Sequence, residues 1–234
     1  MKKLSILFLG LVLLSLPVVM VAAAGTWADY FDSYLTGTSL HGVGGWKGWN
    51  NNPAFTAFTT NAQSRSLPNS MDISGNADMI HEFAISSGFY YLRFYQYIPS
   101  SMSGTSYFIM LNQYDDACAT CNWSVQVQFQ GATGLMIDDG SGASMPFITD
   151  QWGEVCLEID LTQDTQAFLY NGALLYTGSW SNHISGGGTT SIGAVDLFAN
   201  GATSIYYDDM SLGPGTCLTV PMPFDLYLPI VAHN

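Results

Sequence analysis

Residues 151–175, QWGEVCLEIDLTQDTQAFLYNGALL, carry the stretch that decides the fold. Trp152, Val155, Leu157, Ile159 and Leu161 are apolar, and Glu154, Glu158 and Asp160 fall between them as charged neighbours. Successive side chains of a strand point to opposite faces, so this alternation predicts a strand with one face packed. Two further apolar runs, 167–170 and 173–176, flank Asn171-Gly172. Both central residues of a type I′ turn need positive φ, which Asn and Gly tolerate, so the pair predicts a tight antiparallel hairpin.

The texture of this hairpin continues on either side. Gly and Ser are abundant, turn signals recur every ten to fifteen residues, and β-branched and aromatic residues fill the runs between them. Short strands are expected at 29–35, 70–73 and 79–85, and longer ones at 89–98, 107–114, 123–130, 191–199 and 204–212. In 89–98 one face carries Tyr90, Leu92, Phe94 and Ile98, and the other Phe89, Tyr91, Arg93, Tyr95 and Tyr97. In 123–130, Trp123, Val125, Val127 and Phe129 alternate with Ser124, Gln126, Gln128 and Gln130. Nothing reads as a helix. The pattern predicts an all-β, antiparallel two-sheet β-sandwich or jelly roll over residues 25–213. Pro214, Pro221, Pro223 and Pro229 then break regular structure, marking 214–234 as linker and tail.

The N-terminus has the make-up of a secretory signal peptide. Lys2 and Lys3 precede an apolar run over 4–20, and Ala22, Ala23 and Ala24 provide small residues for cleavage after Ala24, with Ala23 or Ala28 as alternatives. Read so, residues 1–24 are removed, and the product is secreted or held at the cell surface without an integral membrane segment. Past residue 24 the chain holds three cations, Lys47, Arg65 and Arg93, against 18 acids. Such a surface repels phosphate backbones, which excludes nucleic acid as a partner. Excess carboxylate accords with bound Ca²⁺ and equally with plain solubility. Four cysteines in an exported chain predict disulfides. Cys118 and Cys121 would close a small loop, leaving Cys156 and Cys217 as the other pair.

The run from Trp152-x-x-Val155-x-Leu157 to Tyr170-Asn171-Gly172-x-Leu174 resembles a hairpin common in laminin G-like modules. Residues 206–212, YYDDMSL, are similar to the closing strand of sandwich carbohydrate-binding modules, and such domains open near an FDSY-like strand, here 31–34. Together these resemble the concanavalin A-like lectin/glucanase superfamily over residues 29–212. The resemblance implies the sandwich fold and, in many such modules, a structural Ca²⁺ between first and last strands. The matching ligand positions are Asp32 and Asp208 or Asp209. It speaks weakly to function, because lectins, glycosidases, lyases and adhesion modules share this architecture.

Laminarinase-like members carry Glu-x-Asp-x-x-Glu. Here Glu158 and Asp160 match the first two acids, but the third position is Gln163. A retaining glycosidase needs a second carboxyl about 5–5.5 Å from the first, and Glu154, four residues upstream, is roughly 13 Å away along a strand. The Gln-x-His of lyase-type members is also absent. His41, His81, His183 and His233 stand singly among polar residues and read as surface histidines. No catalytic residue is assigned.

Sugars are held by flat aromatic faces and by planar polar groups that fork onto hydroxyl pairs. Tyr91, Arg93 and Tyr95 offer that mixture on one strand face. Gln126 and Gln128 would join them if they line the same sheet, with Asn112 beside them. Trp46 and Trp49 stand in a glycine-rich loop. The residues therefore point to a secreted, non-catalytic module that binds a polysaccharide or glycan. A glycoside hydrolase or polysaccharide lyase of the same fold, or a structural or adhesive cell-surface module, is the alternative.

Overall fold

A computed structural model describes residues 27–217. The expected signal peptide and its expected cleavage after Ala24, His233 and the end of the tail lie outside them. The described chain forms two antiparallel sheets packed face to face. The first contains β1 (Trp27–Asp29), β3 (Phe58–Thr60), β4 (Ser70–Ile73), β6 (Phe89–Tyr97), β11 (Trp152–Asp160), β12 (Thr165–Tyr170), β13 (Ala173–Ser179) and β15 (Ile205–Pro214). Its order is β13-β12-β11-β6-β15-β4-β3, with β1 added to β15. The second contains β2 (Trp46–Gly48), β5 (Asp78–Ile85), β7 (Thr105–Gln113), β8 (Asn122–Gln130), β9 (Leu135–Asp138), β10 (Ser144–Pro146) and β14 (Ile192–Phe198). Its order is β10-β9-β8-β7-β14-β5-β2.

The opening stretch folds as its alternation dictates. Val155, Leu157 and Ile159 of β11 are fully buried between the sheets, while Glu154, Glu158 and Asp160 face outward. β12 and β13 join through Asn171 (φ 48°) and Gly172 (φ 75°), both in the left-handed region that the Asn-Gly pair predicts. Leu92 and Phe94 of β6 bury inward as expected, and Phe94 meets Phe108 of the opposite sheet at 4.8 Å between ring centroids. Phe108 in turn contacts Phe168 of β12 at 6.0 Å, so ring packing across the sandwich ties the two sheets at their centres.

Three local expectations change. The first strand is Trp27–Asp29, and residues 30–35 turn away from it, because Asp29 Oδ1 accepts the Phe31 N–H at 2.9 Å and Phe31 takes a positive φ. His81 is no surface residue. It packs against Trp27, Trp46 and Phe83, with centroids at 4.5, 5.4 and 4.9 Å, and burial lowers its pKa. His183 also leaves the surface, stacked on Tyr176 at 4.6 Å with Nε2 2.8 Å from Asp138 Oδ2.

Both expected cystines form. Cys118–Cys121 closes a short loop in the β7–β8 connection, and Cys156–Cys217 ties β11 to the segment after β15. Among the described residues no helix is long and apolar enough to cross a membrane.

Candidate functional site

The residues expected to share one binding face separate onto opposite sides of the sandwich. Tyr91, Arg93 and Tyr95 point outward from β6 in the first sheet, whereas Gln126 and Gln128 point outward from β8 in the second. The face around β6 is covered. Cys156 pairs with Arg93 in the register of β11, and its disulfide to Cys217 draws the C-terminal segment across this strand. Arg93 is 4% exposed, with its guanidinium donating to the Cys217 carbonyl, and Tyr91 is likewise buried. Glu158, the first acid of the glucanase-like string, accepts the Cys217 N–H at 2.9 Å. Asp160 caps the following turn by accepting from Thr162 and Gln163 N–H at 2.8 and 3.0 Å. Both carboxylates are occupied in holding the scaffold. Tyr95 lies beneath Arg65, whose guanidinium carbon sits 3.5 Å from the ring centroid, and its hydroxyl donates to Glu154 at 2.8 Å.

Asp32, Asp208 and Asp209 do approach one another at the edge of this face. Asp209, in a bulge of β15 with φ 48°, is ion-paired to Arg65. Asp208 Oδ2 accepts the Arg65 and Ser66 N–H groups at 2.7 and 3.2 Å. Burial first, and then the Asp209 charge, push the Asp208 pKa up to about 7. The donor set does not form a calcium cage as it stands. Arg65 supplies the positive charge, and among the described residues no three carboxylate, His or Cys side chains converge on one metal position.

Trp46 and Asn112 also move from the ligand side into the fold. Trp46 is 1% exposed, and its indole N–H donates to Asp29 Oδ2 at 3.0 Å. Asn112, 1% exposed, donates to Asn122 and Ser124 at 2.8 Å each and accepts the Thr189 N–H. Their polar groups are satisfied internally, which is what burial requires.

An aromatic-lined cleft opens on the outer face of the second sheet. Trp49, Tyr107, Ile109, Trp123, Phe198, Gln126, Asp78, Asp196 and Asn200 line a cleft of about 360 Å³. Trp49 and Trp123 stack at 6.3 Å between centroids with planes 27° apart, and Tyr107 and Phe198 stack at 5.9 Å and 20°. Two ring pairs therefore flank a floor made of Ile109, Asp78 and Asp196. Gln126 stands at the rim with its amide donating to Asp139 Oδ2 at 2.6 Å, and the Gln128 amide binds the same carboxylate.

Trp123 reaches this face through an irregularity in pairing. Simple alternation puts it with Val125, Val127 and Phe129 on the core side. The β7–β8 register shifts between Met110 and Leu111, so that Met110 faces Val125 while Leu111 faces Trp123. That bulge turns Trp123 outward and Ser124 inward, where Ser124 is fully buried.

Asp78 and Asp196 are diagonal neighbours on adjacent strands, since Asp196 pairs with Ile80 and Phe198 with Asp78. This register sets the two carboxyls side by side on the sheet's outer face. The buried Oδ1 atom of each has no donor from elsewhere in the protein. Burial first, and then the Asp78 charge, hold the Asp196 pKa well above the usual carboxylate range, and burial raises that of Asp78. Like charges side by side make ionising both carboxyls costly. The one signal in the sequence was the lone acid in the apolar run IGAVDLF, where a carboxylate has no reason to sit unless it is paired.

No protein-family model matches the chain, and no curated protein matches it in sequence. Among solved structures it is similar to a sialidase, with a TM-score of 0.56 at 9% identity, over 81% of this chain and 18% of that one. It also overlaps an endo-beta-1,4-glucuronan lyase of the fungus Trichoderma reesei, with TM-score 0.46, 11% identity, 68% of this chain and 87% of that one. The galectin LEC-6 of Caenorhabditis elegans gives TM-score 0.41, 10% identity, 57% of this chain and 89% of that one. The chain spans less than a fifth of the sialidase, and at 9% identity the likeness is one of β-sandwich fold.

Proposed function

We propose that this protein is an exported, non-catalytic glycan-binding β-sandwich of the concanavalin A-like kind, and that its ligand lies in the cleft on the second sheet. The observation that supports this reading is the pair of stacked ring platforms, Trp49/Trp123 and Tyr107/Phe198, on either side of a polar floor. Aromatic faces receive the C–H surfaces of a pyranose, while the carboxyl pair and Asn200 meet its hydroxyls. The cleft volume lies in the range of small-ligand sites. Two cystines accord with an oxidising compartment, and export follows from the predicted leader.

Trp49→Ala, at a partly exposed position outside the sandwich core, is expected to weaken glycan binding by about 10- to 100-fold while shifting Tm little. Isothermal titration against the best ligand from a glycan array measures it. Tyr95→Ala, on the opposite face, is expected to leave affinity within about twofold. Loss of binding in the Tyr95 variant with retention in the Trp49 variant would move the site to the first sheet.

Calcium at the Asp32, Asp208 and Asp209 edge is a separate proposal. Asp32 and Asp209 each have a buried Oδ1 without a donor, and these atoms would hold the ion once Arg65 withdrew. Because Arg65 competes for Asp209, millimolar Ca²⁺ is expected to raise Tm by less than about 2 °C over chelator-treated protein. Arg65→Met should enlarge that rise. A rise of many degrees in the unmodified protein would instead indicate a calcium cage of ordinary strength.

A further inference from the structure

We propose that the cleft selects neutral glycans and excludes those bearing uronate or sialate groups, through the Asp78–Asp196 carboxyl pair on its floor. This inference rests on the glycan reading of the cleft and names the substrate class of that site. Three observations carry it.

The first is the pair itself. Asp196 is 3% exposed, lines the cleft and lies beside Asp78, and among the described residues neither buried Oδ1 has a hydrogen-bond partner. A buried carboxylate without protein donors is costly unless a ligand supplies them. Sugar hydroxyls are donors of that kind. A sugar carboxylate is not, and it brings a second negative charge.

The second is where the cations are. Among the described residues they are Lys47, Arg65 and Arg93. Arg65 and Arg93 serve Asp209 and the Cys217 carbonyl on the opposite face of the sandwich. Lys47 is on the cleft's sheet, yet it is ion-paired with both Glu82 and Asp116, a trio with net negative charge. Binding a uronate takes an Arg fork or a free ammonium, and the cleft lining contains neither.

The third is the rim. The Gln126 and Gln128 amide N–H groups, which would otherwise donate to a sugar carboxylate, are directed to Asp139. Burial holds both carboxyls above the ordinary carboxylate range, and the Asp78 charge adds to this at Asp196. The floor therefore resists a further negative charge and offers carboxyl oxygens to a hydroxyl pair.

The test is isothermal titration of the full chain at pH 7 and fixed ionic strength. The probes are neutral β-linked gluco- and xylo-hexasaccharides, against oligoglucuronate of matched length and sialyllactose. A neutral hexasaccharide is expected to bind at least tenfold more tightly than either anionic probe. Asp78→Asn and Asp196→Asn together remove both carboxyls and keep the shape, and the double variant should shrink that preference at least fivefold; near-UV circular dichroism checks its fold. Asp78→Ser with Asp196→Ser carries the same expectation should the Asn pair not fold. Anionic probes binding as tightly as neutral ones, or an unchanged preference in a folded double variant, overturns the inference while leaving glycan binding intact. Binding of no probe at all removes the glycan reading and this inference with it.

Discussion

Replacing Cys156 and Cys217 together with Ser is expected to lower stability by about 4 kcal/mol. Cross-linking reduces the entropy of the unfolded chain, and the gain grows with the logarithm of the loop enclosed. This bridge spans 61 residues, whereas Cys118–Cys121 spans three. The same relation gives the small loop less than about 2 kcal/mol. The long bridge also positions the Cys217 N–H on Glu158 and its carbonyl on the Arg93 guanidinium, so its loss frees the strap that covers β6. Chemical denaturation of the oxidised protein and of the double variant measures the difference. A loss below about 1 kcal/mol would mean that the strap stays docked without its covalent tie and that the entropic estimate fails here.

The second large effect is on pH dependence. Asp72, Asp78, Asp196 and Asp208 all have pKa values raised above the unfolded value, mainly by burial, and Asp208 reaches about 7. A raised acid binds its proton more tightly folded than unfolded. Stability then falls as pH climbs from about 4 toward the folded pKa, and it levels off above it. His81 acts in the other direction: buried and neutral in the fold, it costs stability as pH falls below about 6.5. Asp115 and Asp150, held low by hydrogen bonds from Thr120 and Ser100, contribute stability that is lost only at more acid pH. With Asp32, also raised by burial, five raised acids against one lowered histidine predict a Tm that declines from pH 5 to pH 8. Asp208→Asn should be near neutral at pH 4, gain progressively to pH 7, and reach a plateau of about 2–4 kcal/mol above it. Thermal melts of both proteins across that range decide it. A wild-type Tm that rises from pH 5 to pH 8 would show that the buried carboxyls are better stabilised in their charged form than their surroundings imply.

The fold was largely legible because its information is local. Strand alternation in 151–161, the paired faces of 89–98 and the Asn171-Gly172 turn each need only a few neighbouring residues to be read, and each appears in the structure as expected. The binding face was not legible by the same means. Tyr91 and Arg93 have the composition of a sugar platform, but their exposure depends on where Cys217 lands. Trp46 and Trp49 stand three residues apart in one loop, yet one ring is buried against Asp29 and the other roofs the cleft.

What the sequence determined by itself is therefore the β-sandwich, its hairpin and the means for two cystines, since periodicity, turn chemistry and cysteine number act within short stretches of chain. What only the tertiary structure decided is which side chains meet on each outer face. Sheet order brings β14 between β7 and β5, which joins Asp78 to Asp196 beside Tyr107 and Phe198. A single register shift turns Trp123 from the core to the cleft. The first depends on pairing between strands distant in sequence and the second on a bulge between consecutive strands, where one residue of slip exchanges the two faces.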